Sequence, residues 1–428
     1  MKSKNVLWFL LGLLVLFAAV SCKSKPAPQE DTPPAVTETP TQDNSPDQAS
    51  LSALNAAAAR AAEARKLVMD FGGPTFFPDE WQFADSLYTQ AEQQKNTSTR
   101  QSVQDSTQRY ERAAAAFEAM IQKTYEAAYE YGVRELNAIR NEAVAAGALE
   151  LIPDYLLEVD NVVADADRKY HAKDYYGAKE AGLDAYSMYD AQATGLNAYK
   201  VREEAVVAGA EALIPELLDM ADDTGLDAID QYFVKDYTGA KSIALIAESM
   251  YAALKTGLKA YMVREEIIYR GFEVYDPQNF NLADSSLESA ADDYYAYAFG
   301  SAKDKSEEAQ FRYNLALKTG WESYAAEMGS FASTERQKAL DFKANVAVRQ
   351  DYNTAQAVYV RANSAFQSKN FEQAAMLYIE SQSMFAEVAK IAREKQLEAE
   401  RALGLANQRM TESDETARKA EVILEGGN

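Results

Sequence analysis

The pattern Arg-x6-Gly-x5-Pro-x6-Asp stands four times in this chain, as Arg65/Gly72/Pro78/Asp85, Arg140/Gly147/Pro153/Asp160, Arg202/Gly209/Pro215/Asp222 and Arg264/Gly271/Pro277/Asp284. It constrains the fold because each copy spells a helix, a turn and a second helix. Glycine takes the left-handed conformation that ends a helix just past its C-cap. Proline suits the first turn of the next helix, where its missing N–H has no intrahelical partner. The residue before each proline (Phe77, Ile152, Ile214 or Asp276) is biased away from helix. The short connection makes the two helices antiparallel neighbours. Arg and Asp lie equidistant from the turn, so the hairpin sets them side by side, and the reading is one ion pair per hairpin that fixes its register. A row of ligand-binding arginines is the functional alternative. The repetition favours structure, since an activity seldom needs four identical copies.

The proline steps are 75, 62 and 62 residues, and a degenerate fifth copy follows, with Arg336 twenty before Gln356, Lys343 for the glycine and Arg349 for the proline. Atypical terminal repeats commonly cap an array. Apolar residues recur in phase: Trp81, Leu156, Leu218, Phe280 and Tyr352, then Tyr170, Tyr232, Tyr294 and Phe366. Their phase marks the core of stacked repeats rather than an aromatic box for a cofactor. The extra residues near Asn96–Arg100 and Met328–Phe331 read as inserted loops.

The fold class is therefore all-α: about five tandem antiparallel helical hairpins with a core period of 62 residues, forming an elongated rod or solenoid. Each full unit reads as a helix of about 19 residues (153–171), a turn, and a long run (175–208). Gly195, Gly257 and Gly320 recur inside the long runs. They imply either close helix approach or a break; continuity is the expectation, with the chain zigzagging along one axis. The tail is expected to continue the last helix with a break near Thr411–Asp414.

Three resemblances follow. The stretch Arg202…Ala208-Gly209-Ala210…Pro215-Glu216-Leu217…Asp236-Tyr237-Thr-Gly-Ala240 resembles the helical-hairpin domains of unknown function in bacterial envelope lipoproteins, over most of residues 51–400. Asn370-Phe371-Glu-Gln-Ala374-Ala-Met-Leu-Tyr378 looks like the second helix of a tetratricopeptide repeat, although the 62-residue period departs from that family's. At the N-terminus, Lys2 and Lys4 precede an apolar run, Val6–Val20, which ends in Ala19-Val20-Ser21-Cys22. This resembles the bacterial lipoprotein signal, with Ala19 where leucine is usual. Fifteen apolar residues are short for a membrane span.

The resemblance implies that Cys22, the one cysteine in the chain, carries the lipid and becomes the mature N-terminus. Lys23 after it, rather than Asp, points to the outer membrane. Six of the eleven prolines fall in 23–50, giving a disordered tether. The expected organisation is a signal peptide (1–21), lipidated Cys22 with its tether (22–50), the hairpin array (51–408) and a charged tail (409–428).

The sequence offers little chemistry. The formal charge of −23 argues against nucleic acid and against docking on anionic lipid. His171 is the only histidine and cannot build a multi-histidine metal site or a histidine-based triad. Carboxylate clusters such as Asp292-Asp293 and Glu203-Glu204 read as solvated helix faces. No catalytic residue, cofactor site or metal site is expected. The expected function is a membrane-anchored, non-enzymatic envelope lipoprotein. It would act as a helical scaffold or interaction module, whose partner is another envelope protein or the cell-wall polymer. The alternatives are a ligand-binding accessory lipoprotein of a transporter, with a pocket between repeats lined by tyrosines, and a surface-exposed adhesin or antigen.

Overall fold

A computed structural model describes residues 44–426. The signal peptide, Cys22 and the tether as far as residue 43 lie outside the described residues. Helices follow one another as α1 (Gln48–Asp70), α2 (Gly73–Phe76), α3 (Pro78–Gln93), α4 (Arg100–Ala146), α5 (Ala148–Leu151), α6 (Pro153–His171), α7 (Tyr175–Val207), α8 (Ala210–Leu213), α9 (Pro215–Phe233) and α10 (Tyr237–Arg270). After a 3-10 turn at Phe272–Val274 come α11 (Pro277–Tyr295), α12 (Phe299–Asp341), α13 (Ala344–Ala347), α14 (Arg349–Gln367) and α15 (Phe371–Glu425). There is no strand among the described residues. The class is all-α, built of tandem helical hairpins. The chain divides into two units between Thr124 and Tyr125, within α4.

In the first unit, α1 and α3 form a hairpin about a core that includes Leu54, Ala61, Ala91, Val103 and Tyr110. A second cluster joins Val68, Ala84 and Phe117.

The second unit holds the regular repeats. Each glycine of the turn is left-handed: φ is +108° at Gly147, +102° at Gly209 and +69° at Gly271, as it is at Gly72 (+83°) in the first unit. The five linking residues are themselves a four-residue helix in most units, and the residue before the proline has φ near −140°, which breaks the helix. Lys343 takes the left-handed position with φ +55°. Lysine there is strained, so the degenerate repeat keeps the turn without the residue that favours it.

The second type of turn, between short and long helices, is a Schellman-like closure on a non-glycine residue. Lys173, Lys235, Tyr297 and Lys369 all have φ between +61° and +66°. The Lys173 N–H donates to the Tyr170 carbonyl and the Asp174 N–H to the Lys169 carbonyl, the pattern that closes a helix end. Asp174 and Asp236 then cap the following helix, accepting from Gly177 N–H at 3.0 Å and Gly239 N–H at 2.9 Å.

The long helices are unbroken at Gly195, Gly257 and Gly320. Each packs on its own short partner and also on the next long helix: α7 on α10, α10 on α12, α12 on α15. Lys241 pairs with Asp190 at 2.6 Å and Lys255 with Glu204 at 2.7 Å. Both pairs are 51 residues apart, so α7 and α10 run parallel in that register. The repeat is 62 residues, eleven more, so equivalent positions are displaced by about 16 Å along the helix axis at 1.5 Å per residue. This side-by-side packing of long helices is not legible in the repeat.

Three expectations need correction. The residues at Met328–Phe331 are not a loop; they lengthen α12, where Gly329 lets Tyr378 approach to 3.1 Å of where a Cβ would stand. The helix runs through Gly329 and Ser330 unbroken, so it absorbs the insertion. Helix α15 has no break at Thr411–Asp414. Thr411 there donates back to the Asn407 carbonyl, a bond that leaves the helix intact. Finally, helix begins at Gln48, inside the expected tether, because Asp47 caps it by accepting from Ser50 N–H at 2.8 Å.

Candidate functional site

The repeated charges form internal clamps. Arg140 donates to both oxygens of Asp160, at 2.7 and 2.8 Å, and Arg202 to both of Asp222, at 2.7 and 2.7 Å. Arg65 reaches Asp85 at 2.6 Å and Arg264 reaches Asp284 at 2.8 Å. In the fifth unit Arg336 donates to the Gln356 side-chain carbonyl at 2.6 Å.

A third member went unseen in the sequence. Twenty-nine residues after the aspartate, Tyr189, Tyr251 and Tyr313 each donate their hydroxyl to it, Tyr251 to Asp222 at 2.7 Å. Where Gln356 replaces the aspartate, the equivalent residue is Phe385, fully buried. A neutral amide already bonded to arginine does not call for a second donor; in the first unit Asp85 is held by Arg65 without such a tyrosine. The 62-residue spacing of these tyrosines was the available signal.

The electrostatics fit this role. The Arg140 hydrogen bond, aided by Tyr189, holds Asp160 below the usual carboxylate range against the effect of burial. At Asp222 burial pushes the carboxyl up, but the bonds from Arg202 and Tyr251 outweigh it and the net shift is down. Burial, then the carboxylate contact, pushes the Tyr251 hydroxyl up. These groups satisfy one another and hold register.

One of these clamps borders an opening in the fold. A cavity of about 650 Å³ sits between α6, α7, α9 and α10. Leu196, Leu226, Ile229 and Phe233 contribute to its wall, and the Arg202–Asp222 pair closes one side. A Cβ at Gly195 would meet nothing within 4 Å, so this glycine leaves space rather than accommodating a neighbour. Gln192 also lines it and is 6% exposed. Its Nε2 donates to the Tyr155 carbonyl at 3.0 Å and to the Tyr232 hydroxyl at 2.8 Å. The Tyr155 carbonyl can only accept, which fixes the amide's orientation. The other end, Oε1, is buried with no partner. Burial pushes Tyr232 up to about 12, so it stays a neutral hydroxyl.

The same space recurs 62 residues on, smaller and without the amide. It is about 370 Å³ and lined by Leu213, Leu254, Gly257 and Tyr294 among others. Leu254 stands where Gln192 stood, and Tyr294 donates directly to the Leu217 carbonyl at 3.3 Å. In the following unit Thr319 stands at the equivalent position, and Gly320 beside it packs closely, since a Cβ there would fall 2.5 Å from the Phe272 ring. Of the three glycines that look alike in sequence, two thus line cavities of different size and the third, one residue out of phase, packs against Phe272.

Other sequence-level candidates stay apart. His171 is exposed and pairs with Asp167 at 3.5 Å within its own helix. Asp293 pairs with Lys305 at 2.6 Å and Glu204 with Lys255, both on the surface. Among the described residues no cluster of histidine, cysteine and carboxylates could hold a metal ion, and no helix is long and apolar enough to cross a membrane.

Comparison with known proteins places the chain near membrane proteins. It is 22% identical over 222 residues to Treponemal membrane protein A of Treponema phagedenis, covering 52% of this chain and 64% of that protein. It is 24% identical over 213 residues to Treponemal membrane protein A of Treponema pallidum (strain Nichols), covering 50% of this chain and 61% of that one. The chain thus spans less than two thirds of either relative. No protein-family model matches it, and no solved structure matches it.

Proposed function

We propose that this protein is a lipid-anchored, non-enzymatic component of a bacterial cell envelope that serves as a helical scaffold for another envelope component. The carrying observation is that the polar groups repeated through the array bond to one another. Every Arg–Asp pair closes a hairpin, so the repetition serves shape. The distant similarity to proteins named for a membrane supports the envelope setting. Cys22 directly after the apolar run supports a lipid anchor, and Lys23 supports the outer membrane as its address. Stable attachment needs more than one acyl chain, which a bacterial lipoprotein's modified cysteine supplies.

A protein partner is favoured by apolar side chains exposed in repeat register beside the turns. Val207 and Tyr269, 62 residues apart, are 89% and 88% exposed. Leu151, Leu213 and Tyr275, again 62 apart, are exposed at the same edge of successive units. Apolar groups repeated on a surface suit an extended contact with another protein.

The test has two arms. Labelled palmitate should enter the wild-type chain and not Cys22→Ser, which should leave the membrane fraction. Photo-crosslinkers at Val207 and Tyr269 should then recover one discrete envelope partner from intact cells. A Cys22→Ser protein that remains membrane-bound after processing would refute the anchor. Crosslinking to nothing but bulk protein would refute the scaffold.

A further inference from the structure

We infer that the cavity walled by Gln192, Gly195 and Tyr232 binds a neutral, lipid-like alcohol: an apolar body carrying a single hydroxyl. Its volume of about 650 Å³ is in the range of small-molecule sites. Its lining is aliphatic and aromatic, and its only charges, Arg202 and Asp222, neutralise each other through two hydrogen bonds. An anionic head group would find no free cation there.

The polar fittings are specific to this one repeat. A buried polar atom without a partner is costly, and native structures seldom keep one without reason. Gln192 Oε1 is such an atom, and it belongs to the residue that distinguishes the larger cavity from its neighbour. In the neighbouring repeat Leu254 replaces it and Tyr294 caps the Leu217 carbonyl, so that polar accounting closes without a ligand. Here the Gln192 amide has taken the corresponding carbonyl of Tyr155. Tyr232 is thereby used as an acceptor and keeps its own proton to give. A ligand hydroxyl accepts from Tyr232 and, once the Gln192 side chain shifts to bring its closed-off Oε1 to the cavity wall, donates to that atom, satisfying both with one group.

The proposal is independent of the scaffold reading, and its test does not involve the partner. The full-length chain is titrated with 1-dodecanol and with dodecyl methyl ether, which has the same apolar body but no donor. Binding is read by the shift in melting temperature and by native mass spectrometry. Wild type should bind the alcohol with one-to-one stoichiometry and the ether about tenfold more weakly, the discrimination of one buried hydrogen bond. Gln192→Leu copies the residue of the next repeat. It should fold and bind alcohol and ether alike. Gly195→Leu puts a side chain into open space; it should raise the melting temperature of the free protein and abolish binding of both. Failure of wild type to bind the alcohol overturns the proposal. So does equal affinity of wild type for the two probes, or unchanged binding by Gly195→Leu.

Discussion

Replacing Arg202 and Asp222 by alanine, singly and together, measures what one clamp contributes. Exposed ion pairs contribute about 0.2–1 kcal/mol. Hydrogen bonds to charged groups are worth about 1.5–3 kcal/mol. The Arg202 and Asp222 side chains are 30% and 26% exposed and share two bonds of 2.7 Å, which places them between these cases. We expect a coupling energy of about 1.5 kcal/mol.

The single variants should differ. Arg202→Ala strands a half-buried carboxylate with Tyr251 as its remaining donor. Asp222→Ala leaves Arg202 in contact with Glu203 at 3.2 Å and Tyr251 in contact with the Ala221 carbonyl at 3.1 Å. Arg202→Ala should therefore cost about 2 kcal/mol and Asp222→Ala somewhat less, with the double variant little worse than the worse single. The assay is urea unfolding with hydrogen exchange over α9 and α10 as the local readout, because repeat arrays open in parts.

The pH dependence gives a second check. The folded-state value of Asp222 is lowered, so its contribution is fully present above the ordinary carboxylate value of 3.8. It is lost as pH falls through the lowered folded value. The coupling should be complete at pH 7 and vanish below the carboxylate range. Strict additivity of the two substitutions at pH 7 would refute the clamp as a source of stability.

The glycines of the long helices should respond in opposite ways. Gly195→Ala should stabilise by about 1 kcal/mol, the difference in helix propensity, since its Cβ meets open space. Gly320→Ala should destabilise by about 1–3 kcal/mol through overpacking against Phe272. Melting curves check both, and the same sign for the two would contradict the packing described. Lys235→Gly relieves a left-handed backbone at φ +66° and should raise stability by about 0.5–1 kcal/mol, read as a higher urea midpoint. Ending the chain after Gln396 removes a stretch whose described residues are all exposed, so the melting temperature of the array should not move. A drop of several degrees would mean that this part of α15 supports the fold.

Much of the candidate site was written in the sequence without being recognisable there. Gly195 and Gly257 were visible as repeated glycines, and Tyr232 and Tyr294 as repeated aromatics. That Gly195 and Tyr232 face one space, and Gly257 and Tyr294 another, depends on helices of neighbouring repeats meeting, and adjacency of long helices leaves no local mark. The exchange of Gln192 for Leu254 reads as a minor variation until the partnerless Oε1 is seen. The tyrosines of the clamps were hidden for a similar reason: the Asp-to-Tyr spacing spans a turn and most of a second helix.

The sequence by itself determined the hairpins, because their turns rest on local rules. Gly209 needs a left-handed φ, Pro215 needs a free N–H position, and Arg202 and Asp222 meet wherever two antiparallel helices share that turn. The tertiary structure decided how the hairpins stack. The register of 51 residues between α7 and α10, set by Lys241 on Asp190 and Lys255 on Glu204, comes from two surfaces fitting each other. That fit leaves space beside Gly195, less beside Gly257, and none beside Gly320, where Phe272 enters. Packing is a property of volumes brought together from distant parts of the chain, and no single stretch of sequence carries it.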